Sequence, residues 1–332
     1  MNLRPLVPVF VFVAIPLVTI GAQQPADTNK PVWAYAVAPG PPPSTTAAAR
    51  GGGGRGTPDP TPRTLPGSRS SFTLAEIRNS FAPADWFPED HPVMPEVVAH
   101  GRQPDARACA FCHMPNGKGR PENAPVAGLP KDYIVQQLED FKSGARKTAE
   151  PRKPNDMLQI SQHITDDDMK EAAAYFSSMP WTQWIRVVEV DVVPKTRIAG
   201  QMFHLVDDGT TEPIGNRIVE APENEAEEQL RAPRTGFVAY VPVGSIKRGE
   251  ALVTTGGSKT LPCTICHGPD LRGLGPVPGL VNRSPSYLGR QLYDFQQGTR
   301  AGMWSVLMKR VVANLTVEDM VSILAYTASR KP

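Results

Sequence analysis

Two short segments of this chain carry the same reactive side chains at the same spacing. Residues 109–113 and residues 263–267 both have the pattern Cys-x-x-Cys-His. Two thiols on neighbouring turns of one short segment can add to the two vinyl groups of a single porphyrin, and the adjacent histidine can then bind its iron. The pattern predicts covalent haem attachment, with a histidine as the proximal iron ligand. The attachment residues are Cys109, Cys112, Cys263 and Cys266, and the proximal ligands are His113 and His267.

Other chemistry of paired cysteines explains these motifs less completely. Four cysteines in an exported chain can form two disulfides, and a Cys-x-x-Cys pair can be a thioredoxin-like redox centre or half of a zinc site. A zinc ion bound by both pairs leaves both histidines unexplained, and a redox pair needs neither a histidine nor a second copy. The chain has 4 cysteines in all. The two motifs therefore use every one of them, which favours two covalently attached haem c groups.

The two motifs belong to a longer internal repeat. A shift of 154 residues places one motif on the other and superimposes a set of downstream residues. After a three-residue deletion the shift becomes 151, and Met157 then matches Met308. So many coincidences on one register indicate two duplicated domains. The polar residues that match at the first shift are Tyr133 and Tyr287, Gln137 and Gln291, Asp140 and Asp294, and Arg146 and Arg300.

The repeat also predicts the second axial ligand of each iron. Met157 and Met308 follow their motifs at the same repeat position, and His/Met ligation raises a haem potential and suits electron transfer. Met303 competes in the second half but has no counterpart in the first, and the remaining histidines do not repeat. The polar residues that do repeat are candidates to surround the haems. They are Tyr133, Arg146, Tyr287 and Arg300, together with Gln137 and Gln291.

Residues 133–146 and 287–300 share the pattern Tyr-x-x-x-Gln-Leu-x-x-Phe-x-x-Gly-x-Arg. Two such segments, each following a haem motif and preceding a methionine and a terminal helix, resemble the di-haem cytochrome c4 type, which has tandem class I cytochrome c domains. The resemblance covers residues 90–180 and 245–330. It implies periplasmic electron transfer between a quinol-oxidising complex and a terminal oxidase or reductase. It also implies the same haem-binding cysteines, histidines and methionines.

The elements that must position these residues are mainly α-helical. Each half predicts a helix after its motif, closed by Gly144 or Gly298, and a terminal helix introduced by a capping-box spacing at Thr165 or Thr316. Between the halves, residues 187–193 and 236–241 are predicted strands. The acidic run 220–228 is predicted to be a solvated loop or helix face. An insert of this length can separate the domains or cover a haem edge.

The N-terminal region has a different character. Residues 1–22 have a basic start, an apolar run and a small-residue end, as in a secretory signal peptide. The following stretch is rich in Pro, Gly and Ala, which predicts a disordered tether. The predicted organisation is a signal peptide at 1–22, a tether at 23–70, domain 1 at 71–180, a β-containing insert at 181–245 and domain 2 at 246–332.

The net charge and the distribution of apolar residues limit the classes of function that the chain can have. The net charge of +2 in 332 residues gives no indication of nucleic acid, and no segment after the signal peptide is long and apolar enough to span a bilayer. The leading prediction is a non-enzymatic electron carrier, periplasmic or exported, soluble or peripherally attached to a membrane. Its partners would be redox proteins. One alternative is a cytochrome subunit docked on a dehydrogenase or oxidase, and a less favoured one is a di-haem cytochrome c peroxidase.

Overall fold

The structure is a computed structural model that describes residues 29–37, 59–153 and 155–332. The predicted signal peptide at 1–22 lies outside these residues and stays a prediction. Most of the predicted tether also lies outside them, but two described parts of it differ from the expectation.

The first of these parts is residues 29–37. It contains the 3-10 helix Val32–Ala34, and Trp33 and Tyr35 are buried in the core of domain 2. The hydroxyl of Tyr35 donates to Asp294 Oδ1 at 3.3 Å. Two large aromatic rings supply enough apolar surface to order a segment whose neighbours are rich in proline and glycine. The tether prediction is therefore wrong for these residues.

The second part belongs to a small unit of residues 63–90, whose core is separate from that of domain 1. The core of domain 1 therefore begins after the predicted boundary at residue 71. Strands β1 (Arg63–Thr64) and β2 (Ser71–Phe72) pair antiparallel, and helix α1 (Leu74–Ile77) and the 3-10 helix Pro88–Asp90 follow. The pairing of β1 with β2 ends the tether before residue 70. Trp86 is buried in this unit, and its Nε1 donates to the carbonyl of Leu230 at 2.8 Å. The unit is thus attached to the insert.

Domain 1 has a short first helix and four further helices. The motif forms a single turn, and the long helix that follows it ends where Gly144 adopts a φ of +75°. The capping box of Thr165 and Asp168 is present at the start of the last helix. Both sequence predictions are confirmed. The helices are α2 (Glu96–Ala99), α3 (Cys109–His113), α4 (Lys131–Lys142), α5 (Asp156–Gln162) and α6 (Asp166–Ser177).

The insert is a set of short strands with one helical turn. Its main sheet has the order β3-β9-β8, with β3 parallel and β8 antiparallel to β9. The predicted strand 187–193 falls on two strands, β3 and β4, and the predicted strand 236–241 falls on β9. The elements are β3 (Ile185–Val190), β4 (Val192–Pro194), β5 (Thr196–Ala199), β6 (Met202–Leu205), β7 (Thr211–Pro213), β8 (Val219–Pro222), α7 (Glu225–Gln229) and β9 (Phe237–Pro242).

The acidic run of the insert is only partly solvated. Glu220 and Glu228 are buried, which differs from the prediction for 220–228. Glu220 accepts hydrogen bonds from Ser284 Oγ at 2.8 Å and from the backbone N–H of Ser286 at 2.9 Å. Glu228 pairs with Arg120 of domain 1. These carboxylates are buried because each has a polar partner in one of the two domains.

Domain 2 repeats the helix order of domain 1 with a much longer first helix. This helix lies so close to the last helix that a Cβ at Gly249 would sit 1.9 Å from the carbonyl oxygen of Ser322. The Thr316–Asp319 capping box and the positive φ of Gly298 are again as predicted. The helices are α8 (Ser245–Thr255), α9 (Thr264–His267), α10 (Pro285–Gln296), α11 (Ser305–Val312) and α12 (Val317–Ser329).

The insert packs on domain 2. Asn282 Oδ1 accepts from the N–H groups of Trp184 and Ile185 at 2.5 and 2.9 Å, and Asn282 Nδ2 donates to Ile185 O and Ala328 O, both at 2.8 Å.

Within the described ranges no single helix has the length and apolarity of a membrane span. Helices α11 and α12, bent by 115° at their break, pass that test only as a pair.

Candidate functional site

The first motif is built by the single turn α3. Its last residue, His113, is buried, and His113 Nδ1 lies 2.8 Å from the carbonyl oxygen of Ala124. A carbonyl can only accept, so Nδ1 carries the proton and Nε2 keeps its lone pair for a metal. Burial lowers the pKa of His113, which also favours the neutral ring. The loop therefore holds this imidazole in the tautomer and orientation that a haem iron needs.

The second motif has the same support. His267 Nδ1 lies 2.8 Å from the carbonyl oxygen of Pro278, and Pro278 occupies the repeat position of Ala124. In both loops a glycine N–H also returns to the carbonyl of the histidine, from Gly119 at 2.8 Å and from Gly273 at 2.9 Å. The sequence could not identify the accepting carbonyl of either imidazole, whereas the structure identifies both.

A cavity of about 330 Å³ opens beside the first motif. Its wall includes the two thiol-bearing residues and His113 from α3 and Met157 from α5, with apolar side chains such as Leu138 and Ile160 around them. A mostly apolar pocket with a few convergent polar groups is the usual form of a cofactor site. Imidazole nitrogen and thioether sulfur on one cavity are the donor pair of a His/Met haem. The residues present therefore fit a covalently bound haem.

Domain 2 places the equivalent residues on equivalent helices. Met308 lies on α11, half-buried against the domain core, as Met157 lies on α5. Met303, the sequence competitor, precedes α11 and is 69% exposed. His163 is exposed at the end of α5, where its Nδ1 contacts Gln159 O at 2.9 Å.

The four cysteines of the two motifs are not joined by disulfides. Among the described residues no three His, Cys, Asp or Glu side chains are arranged to hold a metal ion. Burial raises the pKa of Cys109 to about 12 and that of Cys263 to about 11. These thiols are therefore largely protonated at neutral pH.

The repeated tyrosines and arginines meet at the contact between the domains. Arg146 Nη2 donates to Tyr287 OH at 3.0 Å, and Arg300 Nη2 donates to Tyr133 OH at 2.8 Å. Two further hydrogen bonds cross the contact in the same reciprocal way: Gln291 accepts from Arg146 at 2.7 Å, and Gln137 accepts from Arg300 at 2.6 Å. Each arginine is thus bound by the tyrosine and glutamine of the other domain.

This exchange also connects the domain contact to the cavity. Tyr133 and Arg146 line the cavity of domain 1, and so do Tyr287 and Gln291 of domain 2. Burial alone would raise the pKa of Tyr287, but the guanidinium groups of Arg146 and Arg300 lower it. Three of the four predicted surrounding residues therefore reach the first site, and one of them comes from the other domain. Arg300 lies across the same contact and does not line that cavity.

Three functional arginines were missed because they do not repeat. Arg283 donates to the carbonyls of Pro125 and Ala127 at 2.8 and 3.1 Å, so a residue of domain 2 holds the loop of the first motif. Arg290 donates to Pro121 O at 2.8 Å. Arg231 of the insert has its Cζ 4.2 Å from the ring centroid of Phe111 and donates to the Phe111 carbonyl.

Comparison with known proteins agrees with this geometry. The family model described as cytochrome c matches residues 98–180. Cytochrome c4 of Azotobacter vinelandii is 26% identical over 231 residues, which are 68% of this chain and 85% of that protein. The thiosulfate dehydrogenase electron acceptor of Stutzerimonas stutzeri is 25% identical over 69% of this chain and 82% of its own length. Cytochrome c-554(548) of Halomonas halodenitrificans is 35% identical over 77 residues, which are 23% of this chain and 93% of that protein.

Two Cys-x-x-Cys-His turns, each with an oriented imidazole, are the haem-attachment sites expected of a c-type cytochrome. The relatives have the same character, since they are named as cytochromes or as an electron acceptor. The chain belongs to the cytochrome c family and is a di-haem protein of the cytochrome c4 type. It carries two haem c groups, transfers electrons to and from redox protein partners, and is an electron carrier rather than an enzyme.

Proposed function

We propose that both halves are class I cytochrome c domains and that each binds its haem iron with one histidine and one methionine. The carrying observation is the cavity of domain 1, whose wall brings together Cys109, Cys112, His113 and Met157. The repeat extends this assignment to Cys263, Cys266, His267 and Met308. A haem held in this way supplies a one-electron couple between Fe(II) and Fe(III).

The residues of the chain then have distinct tasks. Ala124 and Pro278 orient the two imidazoles through their carbonyls. The apolar walls keep water away from the first site, and Arg146 and Tyr133 place a positive charge and a hydroxyl on its wall. We assign these two residues, with Tyr287 and Arg300, to the surroundings of the haems, where an arginine offsets the carboxylate charge of a propionate.

An optical redox titration tests the ligands. Met157→Ala and Met308→Ala should each remove about half of the weak absorption band of Met-ligated ferric haem and lower the potential of one haem, because His/Met ligation raises haem potentials. Met303→Ala is the matched control and should change neither quantity, since Met303 is exposed. A protein that keeps its full band in both ligand variants contradicts the assignment.

The physiological role follows from the relatives and the N-terminal sequence. We propose that the protein is exported after cleavage at Ala22 and accepts electrons from a dehydrogenase or a quinol-oxidising complex for delivery to a terminal oxidase or reductase. The relative named as a thiosulfate dehydrogenase electron acceptor supports a dehydrogenase as the donor. The mass of protein isolated from the periplasm should equal that of residues 23–332 plus two haems. A mass that includes residues 1–22, or a protein confined to the cytoplasm, contradicts export.

A further inference from the structure

In each histidine-orienting loop, the residue after the imidazole-binding carbonyl stands at an equivalent position of the repeat. It is Pro125 in domain 1, after Ala124, and Gly279 in domain 2, after Pro278. Peptide units are planar, and neighbouring units are joined by only two soft dihedral angles, so fixing the second carbonyl restricts the direction of the first. A group that binds the second carbonyl therefore helps to orient the imidazole.

Arg283 binds both of these second carbonyls. Its Nη1 donates to Pro125 O and its Nε donates to Gly279 O, both at 2.8 Å. Its Nη2 donates to Ala127 O at 3.1 Å. Arg283 lies in domain 2 just before α10 and reaches the loop of domain 1 across 158 residues of the chain. Because a guanidinium is planar and its N–H groups point in fixed directions, these three hydrogen bonds join the two loops in a defined geometry.

Trp181, the first residue of the predicted insert, extends this arrangement. The Cζ of Arg283 is 4.3 Å from the centroid of the Trp181 ring, as in a cation–π contact. The indole Nε1 of Trp181 donates to Val281 O at 2.8 Å, and Val281 stands at the repeat position of Ala127. A second pair of equivalent carbonyls is thus bound as well, one by the arginine and the other by the tryptophan that packs on it.

The hydrogen bonds of Arg283 are buried and charged. Arg283 is 4% exposed. Burial lowers its pKa to about 10, which leaves the guanidinium protonated at neutral pH. Hydrogen bonds from a charged donor are stronger than those between neutral groups, and a buried carbonyl without a donor is costly. Loss of this side chain would therefore release carbonyls in both loops at once.

The two halves of the repeat differ at this position. The counterpart of Arg283 in domain 1 is Leu129, which is buried in the core of that domain. The halves therefore share the histidine-orienting loops, but the group that joins the loops comes from domain 2.

We propose that Arg283 is a positioning residue for both proximal histidines, which it holds in register by joining the two loops that orient His113 and His267. The proposal deepens the proposed function and rests on it, since the two imidazoles are iron ligands there. Arg283 does not line the cavity of domain 1, so it acts on that site through the loop. The orientation of each ring thus depends on the contact between the domains.

Proton exchange at the two imidazoles tests this role. In the reduced, ¹⁵N-labelled, full-length holoprotein, nuclear magnetic resonance measures the exchange of each ligand Nδ1–H with water, which reports local opening of its loop. Arg283→Leu gives domain 2 the residue that domain 1 has at this position. Exchange at His113 should become faster by about tenfold or more, the factor for the loss of one charged hydrogen bond. Exchange at His267 should accelerate less, because its loop loses one of the three hydrogen bonds and the other loop loses two.

Arg283→Lys separates the joining of the loops from the charge, and it serves also if Arg283→Leu does not fold. A single ammonium group keeps the charge but lacks the planar set of donors that reaches both loops. Exchange at His267 should stay within about twofold of the unsubstituted rate, because Gly279 is four residues away in the same loop. Exchange at His113 should remain fast. Normal rates at both histidines would mean that the charge alone is sufficient, and this would overturn the proposal.

Two control variants separate this role from a general loss of stability. Arg330→Leu makes the same change at an exposed position of domain 2 and should leave both exchange rates within about twofold of the unsubstituted values. Leu324→Ala removes a side chain from the core of domain 2 and should lower stability. Leu324 takes part in none of the hydrogen bonds of Arg283 and Trp181, so exchange at His113 should not change.

Several results overturn the proposal. They are unchanged exchange at both histidines in Arg283→Leu, a change confined to one histidine in that variant, and an equal acceleration at His113 in Leu324→Ala. An unsubstituted protein whose spectra lack two histidine-ligated haems contradicts the proposed function. Two intact haems with unaltered exchange in the Arg283 variants overturn the positioning role alone.

Discussion

Domains 1 and 2 share their helices and their histidine-orienting loops but differ in what surrounds them. Domain 1 begins with the four-residue α2. Its motif loop is held by Arg283 and Arg290 of domain 2, and Arg231 of the insert lies over Phe111 of its motif. Domain 2 begins with the eleven-residue α8 and includes residues 29–37 and the main sheet of the insert in its core. One repeat has thus produced two sites with different support: residues of the other domain and of the insert contact the first motif, whereas residues 29–37 and the insert complete the core of domain 2.

The variant with the largest expected effect on stability lies in the N-terminal segment, residues 29–37. Tyr35 has no counterpart in domain 1, and it fills the core of domain 2 from 259 residues away along the chain. Tyr35→Ala should lower the free energy of unfolding by about 3–5 kcal/mol, as for other buried aromatic residues. Urea denaturation followed by circular dichroism measures it. Val32→Ala is the control on the same segment, because Val32 is exposed, and should change stability by less than about 0.5 kcal/mol. Equal effects would show that residues 29–37 do not belong to the core.

The close contact of α8 with α12 gives the next effect. Gly249→Ala would place a methyl group against the Ser322 carbonyl, and we expect a loss of about 1–3 kcal/mol through forced separation of the helices. Glu250→Ala, one residue along on the exposed side, should be nearly neutral. Thermal unfolding of the two variants compares them. A neutral Gly249→Ala would mean that α8 is not essential to the stability of domain 2.

Glu150 lies in a loop of domain 1 that is three residues longer than its counterpart in domain 2. The ionisation of its carboxylate tests how much this loop contributes to stability. Burial opposes the charge of this carboxylate, but hydrogen bonds from Arg152 and Lys30 hold its pKa at about 2. A folded-state pKa below the ordinary value of 4.5 means that the ionised form stabilises the fold. This contribution is complete above about pH 5 and is lost as the pH falls from 4.5 towards 2.

Glu150→Gln is the matching variant. It should lower the free energy of unfolding at neutral pH by about 1.5–3 kcal/mol, the usual contribution of hydrogen bonds to a charged group, and flatten the acid side of the stability profile. Denaturation midpoints measured from pH 2 to pH 7 check this. A profile that keeps its acid slope in the variant would assign the slope to other carboxylates.

The smallest effect should be equal in the two domains. Thr165 and Thr316 each accept the N–H of the aspartate three residues on and start the last helix of their domain. Thr165→Ala and Thr316→Ala should each cost about 1 kcal/mol, as is usual for an N-cap. Serine at either position is the control and should retain most of the stability. Unequal losses of unfolding free energy, measured by urea denaturation, would show that the two equivalent N-caps contribute differently to stability.

The sequence was sufficient for the local features that the repeat duplicates, but not for the carbonyls of Ala124 and Pro278 that orient the two imidazoles. It predicted the motif turns, the helices that follow them, their glycine ends and the capping boxes, because these depend on residues a few positions apart. It did not predict the placement of Arg231, which reaches Phe111 across 120 residues, or of Arg290, which donates to Ala34 across 256 residues. Such contacts depend on how separate elements meet, and local periodicity does not specify that. For the same reason the sequence did not predict that Trp33 and Tyr35, within an apparent tether, are buried in the core of domain 2.

The reciprocal contacts of Arg146 and Arg300 have a further consequence. An interface in which one residue contacts the counterpart of its own partner is isologous, the form found in homodimers with two-fold symmetry. A single-haem domain with this tyrosine, glutamine and arginine set would carry everything needed to bind a second copy of itself. Joining two copies in one chain replaces that concentration-dependent association by an intramolecular one. The pairing of the two haem domains should therefore persist on dilution.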